Sequence, residues 1–170
     1  MTDDPIYRRF MEAQLEEGLA LASESELLRL YPTPQAPPSF VAEFRCNGVV
    51  RDHAGVVRES RLFRVGIWFP PDYLRRVDPF QVLRLFEPEN AWHPNIRDAF
   101  ICIGRLVPGT PLVDILYQVF EVLSYRKFNP REDDCLNRLA CAWAREHQQE
   151  FPTDPRPLKR RVLNLEVAQR

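Results

Sequence analysis

The sequence predicts an α+β fold: an N-terminal helix, an antiparallel β-meander and then C-terminal helices. Three observations carry this expectation. Near the start, Tyr7, Met11, Leu15, Leu19 and Ala22 recur at helical spacing, with Arg8, Arg9, Glu12, Glu16 and Glu17 turned away. In the middle, Phe63, Val65, Ile67 and Phe69 alternate with Arg64, Gly66 and Trp68, the period of a strand with one buried face. Towards the end, Leu112, Ile115, Leu116, Val119, Phe120 and Leu123 make the wide apolar stripe of a core helix.

Taken in order, the first helix is expected over residues 5–30. Ser23-x-x-Glu26 reads as a capping box at which it can break and restart, and the proline-rich residues 31–38 end it. Residues 39–51 and 56–69 read as strands joined by the turn Asp52-His53-Ala54-Gly55, which puts His53 on the surface. Pro70-Pro71-Asp72-Tyr73 interrupts the sheet, and residues 80–86 make another short strand around Val82 and Leu83. After an irregular loop over 105–110, Pro111 opens a helix that runs to residue 125. An acidic loop over 129–137 leads into a last helix over 135–149, with Leu136, Leu139, Ala140, Trp143 and His147 on one face and Cys141 in the core. Residues 1–151 thus form one domain. Residues 152–170 form a tail that is either flexible or docked through the apolar run at 162–167. The basic trio Lys159-Arg160-Arg161 reads as a solvated patch.

A chain of 170 residues is long enough for one proper core, and 45% hydrophobic with 28% charged residues is ordinary for a globular protein. The net charge of −1 gives no field that would draw nucleic acid or an anionic membrane, so neither is expected as a partner. No apolar run reaches transmembrane length, and the acidic Met-Thr-Asp-Asp-Pro start lacks the apolar core of a signal peptide; a cytoplasmic protein is expected. Cys46, Cys102, Cys135 and Cys141 form no C-x-x-C pair, and His53, His93 and His147 are scattered. No zinc spacing arises, no metal or cofactor is expected, and the thiols should be free in a reducing compartment. Of 23 basic residues only Lys127 and Lys159 are lysines. A GC-rich, bacterial genome accounts for such a bias; so does an enzyme that passes acyl groups to amines and gains from having few of its own.

The chemistry gathers in Trp92-His93-Pro94-Asn95-Ile96-Arg97-Asp98-Ala99-Phe100-Ile101-Cys102-Ile103. Pro94 fixes its own φ and pushes His93 out of the helical region, so this is a shaped loop. A cysteine between isoleucines reads by default as a buried structural thiol. Beside an amide donor such as Asn95 it also reads as a nucleophile, because attack on a carbonyl creates an oxyanion that needs a donor. His93 belongs to the turn and pairs with no thiol, which argues against a cysteine–histidine protease.

This stretch resembles the ubiquitin-conjugating enzyme family, which has a His-Pro-Asn turn followed by an Ile-Cys pair. The resemblance extends over residues 26–150. It includes "FPPDYLRRVDPFQVLRL", similar to the family's Phe-Pro-x-x-Tyr-Pro segment, and Asn129-Pro130-Arg131-Glu132-Asp133-Asp134-Cys135-Leu136-Asn137, similar to its acidic Asn-Pro loop. This sequence departs from the family by a gap from Asn95 to Cys102 one residue shorter than usual. It also has Ile103-Gly104 for Leu-Asp, Leu74 and Asp78 where prolines are common, and Cys135 in place of a proline. The resemblance implies that Cys102 carries a ubiquitin-like modifier as a thioester, received from an activating enzyme that uses the ATP, and passes it to an amine of a target protein. It implies that Asn95 is the oxyanion or loop-organising residue, and that Asp134, with Asp133 in reserve, sits beside the thioester to handle the amine's proton. The same acids can instead serve the positive end of the last helix. The family's N-terminal helix meets the activating enzyme; here that face mixes Arg and Glu and can equally be only solvated. The same fold also admits a non-catalytic module that binds a ubiquitin-like protein. If the chain is bacterial, the resemblance extends to conjugation cassettes of antiviral defence.

Overall fold

The structure is a computed structural model that describes residues 4–131 and 133–160. The chain is mixed α and β, with a helix, an antiparallel sheet and then further helices. It begins with α1 (Pro5–Ser23), whose start Asp4 caps by accepting from the Ile6 and Tyr7 amides at 2.9 and 3.3 Å. The buried face of α1 is Tyr7, Met11, Gln14, Gly18 and Leu21, whereas Leu19 is 41% exposed. The apolar pattern had placed Leu19 inward. A small residue and a polar one take its place, because each does something an apolar side chain cannot. At Gly18 a Cβ would lie 2.7 Å from a methyl of Leu112 and 2.8 Å from one of Leu30. Gln14 Oε1 accepts the Leu112 amide at 2.6 Å. That bond serves the start of α3 (Leu112–Leu123), where Pro111 has no side chain to cap with.

The first helix stops at Ser23 instead of running to residue 30. The Ser25 hydroxyl accepts from the Leu27 and Leu28 amides and turns the chain into β1 (Leu28–Pro32). Leu28 and Leu30 alternate inward there, a strand period too short to stand out after a helix. The capping box does not form: Ser23 Oγ donates to the Ala20 carbonyl at 2.7 Å, and Glu26 pairs with Arg160.

The sheet is β1, β2 (Phe40–Phe44), β5 (Phe63–Ile67) and β6 (Leu83–Glu87), antiparallel and in that order. Two expected strands are each split, because β3 (Gly48–Arg51) and β4 (Val57–Ser60) pair as a separate ribbon. Residues 45–47 face residues 61–62 across this hairpin, and unequal lengths bend it as a bulge does. The Asn47 amide leaves the ladder and donates to the Asp154 carboxylate at 3.1 Å. The strand expected from residue 80 begins three residues later. Asp78 and Pro79 supply the cap and first position of a helical turn, α2 (Pro79–Val82).

The core lies between the inner sheet face and the helices α1 and α3, with Phe40, Phe44, Val65 and Ile67 against Leu112, Ile115 and Val119. A second cluster joins Val49 and Tyr125 to Ala144 of α4 (Arg138–Glu146). This last helix starts at 138 rather than 135, because Asn137 caps it by accepting the Ala140 amide at 3.1 Å. Its inward residues are Ala140, Cys141 and Ala144; Leu139, expected inside, is 68% exposed. His147 stacks on Trp143 at 5.0 Å.

Residues 152–160 pack on the domain. Leu158 is in the core, the Arg160 amide donates to the Glu24 carbonyl at 2.9 Å, and buried Asp154 holds Arg156 at 2.6 Å. The apolar run at 162–167 lies outside the described residues. Among the described residues no helix is long and apolar enough to cross a membrane.

Candidate functional site

Between β6 and α3 the chain forms a small hairpin, β7 (Ile96–Arg97) and β8 (Phe100–Ile101), turned by Asp98 at φ 53°. Asp tolerates that left-handed conformation better than most residues. The Ala99 carbonyl accepts the Leu85 amide at 2.8 Å, so the hairpin is fixed to the sheet edge. Cys102 follows it directly. Its neighbours Ile101 and Ile103 are both 1% exposed, while Cys102 is half-buried. The isoleucines therefore anchor the segment, and Cys102 between them keeps part of its surface in solvent.

Asn95 organises this segment with all its polar groups. Its carbonyl accepts the Cys102 amide at 2.8 Å, and its Nδ2 donates to the Cys102 carbonyl at 2.9 Å. Its Oδ1 accepts the Asn129 amide at 2.9 Å. The Asn95 amide donates to His93 Nδ1 at 2.9 Å. His93 is thus a buried acceptor. Burial pushes it down to about 3, against a weaker upward pull from the Lys127 backbone. Its ring is neutral across ordinary pH. It shapes the turn and is not a base for the thiol.

The other side of the loop is held by residues 125–129, which follow α3. Tyr125, at φ 58°, donates its hydroxyl to the Trp92 carbonyl. Lys127 Nζ donates to the Ile103 carbonyl at 2.7 Å. Asn129 reaches Asn95 through its amide and Asp134 through its side chain, with Nδ2 3.3 Å from Asp134 Oδ2. Farther on, the Asn137 amide donates to the Pro94 carbonyl at 3.0 Å.

Asn95 and Cys102 are therefore in direct contact, and Asp134 is joined to Asn95 through Asn129. Asp133 is exposed and faces Arg131 at 3.8 Å. Neither acid lies in the first turn of α4, which Asn137 caps, so the helix-end role weighed for them does not apply. Glu132 lies outside the described residues. Of the other thiols, burial pushes Cys46 up to about 12 and Cys135 up to about 11, the latter beside Cys141. Both stay protonated at neutral pH and are poor nucleophiles. His53 is exposed on an open groove of about 900 Å³ beside the loop, bordered by Trp92, Arg97, Asp98 and Arg138.

Lys127 and Asn129 were not singled out from the sequence. The scarcity of lysine was visible, but nothing local tied one of the two to the cysteine. Asn129 stood in a quoted motif, and its partner across the fold is set by the turn at Tyr125. No protein-family model matches the chain, and no curated protein matches it.

Proposed function

We propose that this chain is a ubiquitin-like-protein conjugating enzyme, working in the cytoplasm with an activating enzyme and a target protein. The observation that carries this reading is the contact of Asn95 with Cys102: the carboxamide is bonded to the Cys102 carbonyl, and Cys102 stays partly exposed between two buried isoleucines. A cysteine that only fills the core has no need of that exposure.

In the first step the Cys102 sulfur attacks the thioester carbonyl of the charged activating enzyme. A new C–S bond forms, the old one breaks, and the activating enzyme's thiol departs. Such an exchange needs no strong base, in keeping with the neutral, buried His93. In the second step a target amine attacks Cys102's thioester, a C–N bond replaces the C–S bond, and the ammonium proton passes to Asp134 or to water. Asn95 acts first as organiser of the loop. The second hydrogen on Nδ2 is the donor available to the oxyanion. The groove beside the loop has room for the target segment.

The test is a non-reducing gel of the purified chain with ATP, an activating enzyme and a ubiquitin-like protein encoded beside its gene. A shifted band that dithiothreitol removes supports the reading. No band, with an activating enzyme shown to charge itself, sinks it; a dithiothreitol-resistant complex that survives Cys102→Ala points to the binding module.

A further inference from the structure

Cys102 and Ile103 present successive carbonyls, and each is held by a side chain from a different element. Asn95 Nδ2 takes the first at 2.9 Å and Lys127 Nζ the second at 2.7 Å. Lys127 is itself fixed. Its amide donates to the Glu121 carbonyl at 3.0 Å, and its neighbour Arg126 bonds the carbonyls of Asp154 and Arg156. Gly104 makes room for the ammonium: a Cβ there would lie 3.2 Å from Nζ, and its φ of +99° is one that glycine adopts without strain. The other lysine, Lys159, is paired with Glu24 at 2.6 Å. Both lysine side chains are thus engaged, and the one beside the thiol segment is engaged with a backbone oxygen.

We propose that Lys127 is a positioning residue for Cys102, clamping the segment from the side opposite Asn95, and that the clamp withholds its amine from the acyl group carried next door. The transfer part of this rests on the conjugating-enzyme reading; the clamp itself does not. Held on the Ile103 carbonyl, Nζ anchors the loop and would have to give up that bond to reach the thioester. Arginine can replace it as a donor to a carbonyl. Methionine keeps the stem and loses the bond.

The experiment compares wild type, Lys127→Met and Lys127→Arg in two readouts. The first is hydrogen exchange of the peptide over residues 96–106 in the free protein. Faster exchange there in Lys127→Met, and wild-type exchange in Lys127→Arg, supports the clamp; identical exchange in all three overturns it. Lys127→Gln, too short to reach Ile103, replaces Lys127→Met should that variant not fold. The second readout is single-turnover charging of Cys102 against the concentration of charged activating enzyme. The maximal rate is expected to fall roughly tenfold to a hundredfold in Lys127→Met with half-saturation unchanged, and to return in Lys127→Arg. An equal loss in both variants overturns the positioning role. An isopeptide mapped to Lys127 in the charged wild type overturns the withheld amine. If wild type forms no thioester at all, the conjugating-enzyme reading fails, and hydrogen exchange still decides the clamp.

Discussion

At the scale of single residues, Asn95 and His93 carry the most specific expectations. Asn95→Ala removes the Cys102 tether and the Asn129 anchor together. Transfer from Cys102 should fall on the order of a hundredfold or more. Stability should fall by about 1–3 kcal/mol, because the Asn129 amide loses its acceptor. Single-turnover discharge and urea denaturation measure the two; wild-type values in both would remove Asn95 from the account. His93 is neutral because it is buried, and its folded value lies below its unfolded one. The folded state therefore binds fewer protons, so stability is full above the unfolded value near pH 6.5 and drains as pH falls towards about 3. The steepest slope from this group is about 1.4 kcal/mol per pH unit. Urea midpoints between neutral and mildly acid pH should show it, and His93→Phe, whose ring cannot protonate, should lack that component. An unchanged slope in His93→Phe would assign the acid sensitivity elsewhere. Asn95 and Cys102 were legible in the sequence because a proline-shaped turn and a nearby thiol are local features. The bonds from residues 125–129 were not, because they join segments far apart in the chain.

At the scale of elements, the strongest periods were read correctly and their limits were not. The apolar stripe of α3 and the alternation in β5 both survive as elements. The continuous strand expected over 39–51 gives way between Phe44 and Gly48, where Asn47 bonds a carboxylate more than a hundred residues away. No pattern within the strand announces that partner. Similarly, the inward face of α1 includes Gln14 because α3 needs an acceptor at its first amide. Gln14→Leu leaves the Leu112 amide buried and unpaired, and the expected loss is about 1–3 kcal/mol. A chemical denaturation curve reads this directly. A variant as stable as wild type would mean that the Leu112 amide finds another acceptor.

At the scale of the whole molecule, residues 152–160 act as a strap across the open end of the hairpin and the end of α1. Asp154 is 1% exposed and accepts from Asn47 and Arg156, and the Arg156 guanidinium beside it holds its carboxyl down at about 2. Its contribution is present above the ordinary carboxylate value and is lost as pH falls from about 4 towards 2. Asp154→Ala should free the strap. Limited proteolysis should then cut between residues 150 and 160, and stability should drop by about 1–3 kcal/mol. Resistance equal to wild type would mean that Leu158 and the bonds of Arg126, Lys159 and Arg160 secure the segment without Asp154. The prolines of this region suggested a tail, since composition reads local stiffness and says nothing of a single buried aspartate. The same limit applies to the candidate site: order and spacing of motifs single out Cys102, while bonds that hold its segment come from distant residues. The claim on which the account turns is that Cys102 carries the acyl group. The most direct measurement is intact mass and peptide mapping of Cys102→Ser after incubation with ATP, activating enzyme and modifier. The account predicts a dithiothreitol-resistant oxyester on residue 102, matched by a dithiothreitol-labile adduct in wild type. An adduct mapped to Cys135 or to another residue, or none beside a charged activating enzyme, would contradict it.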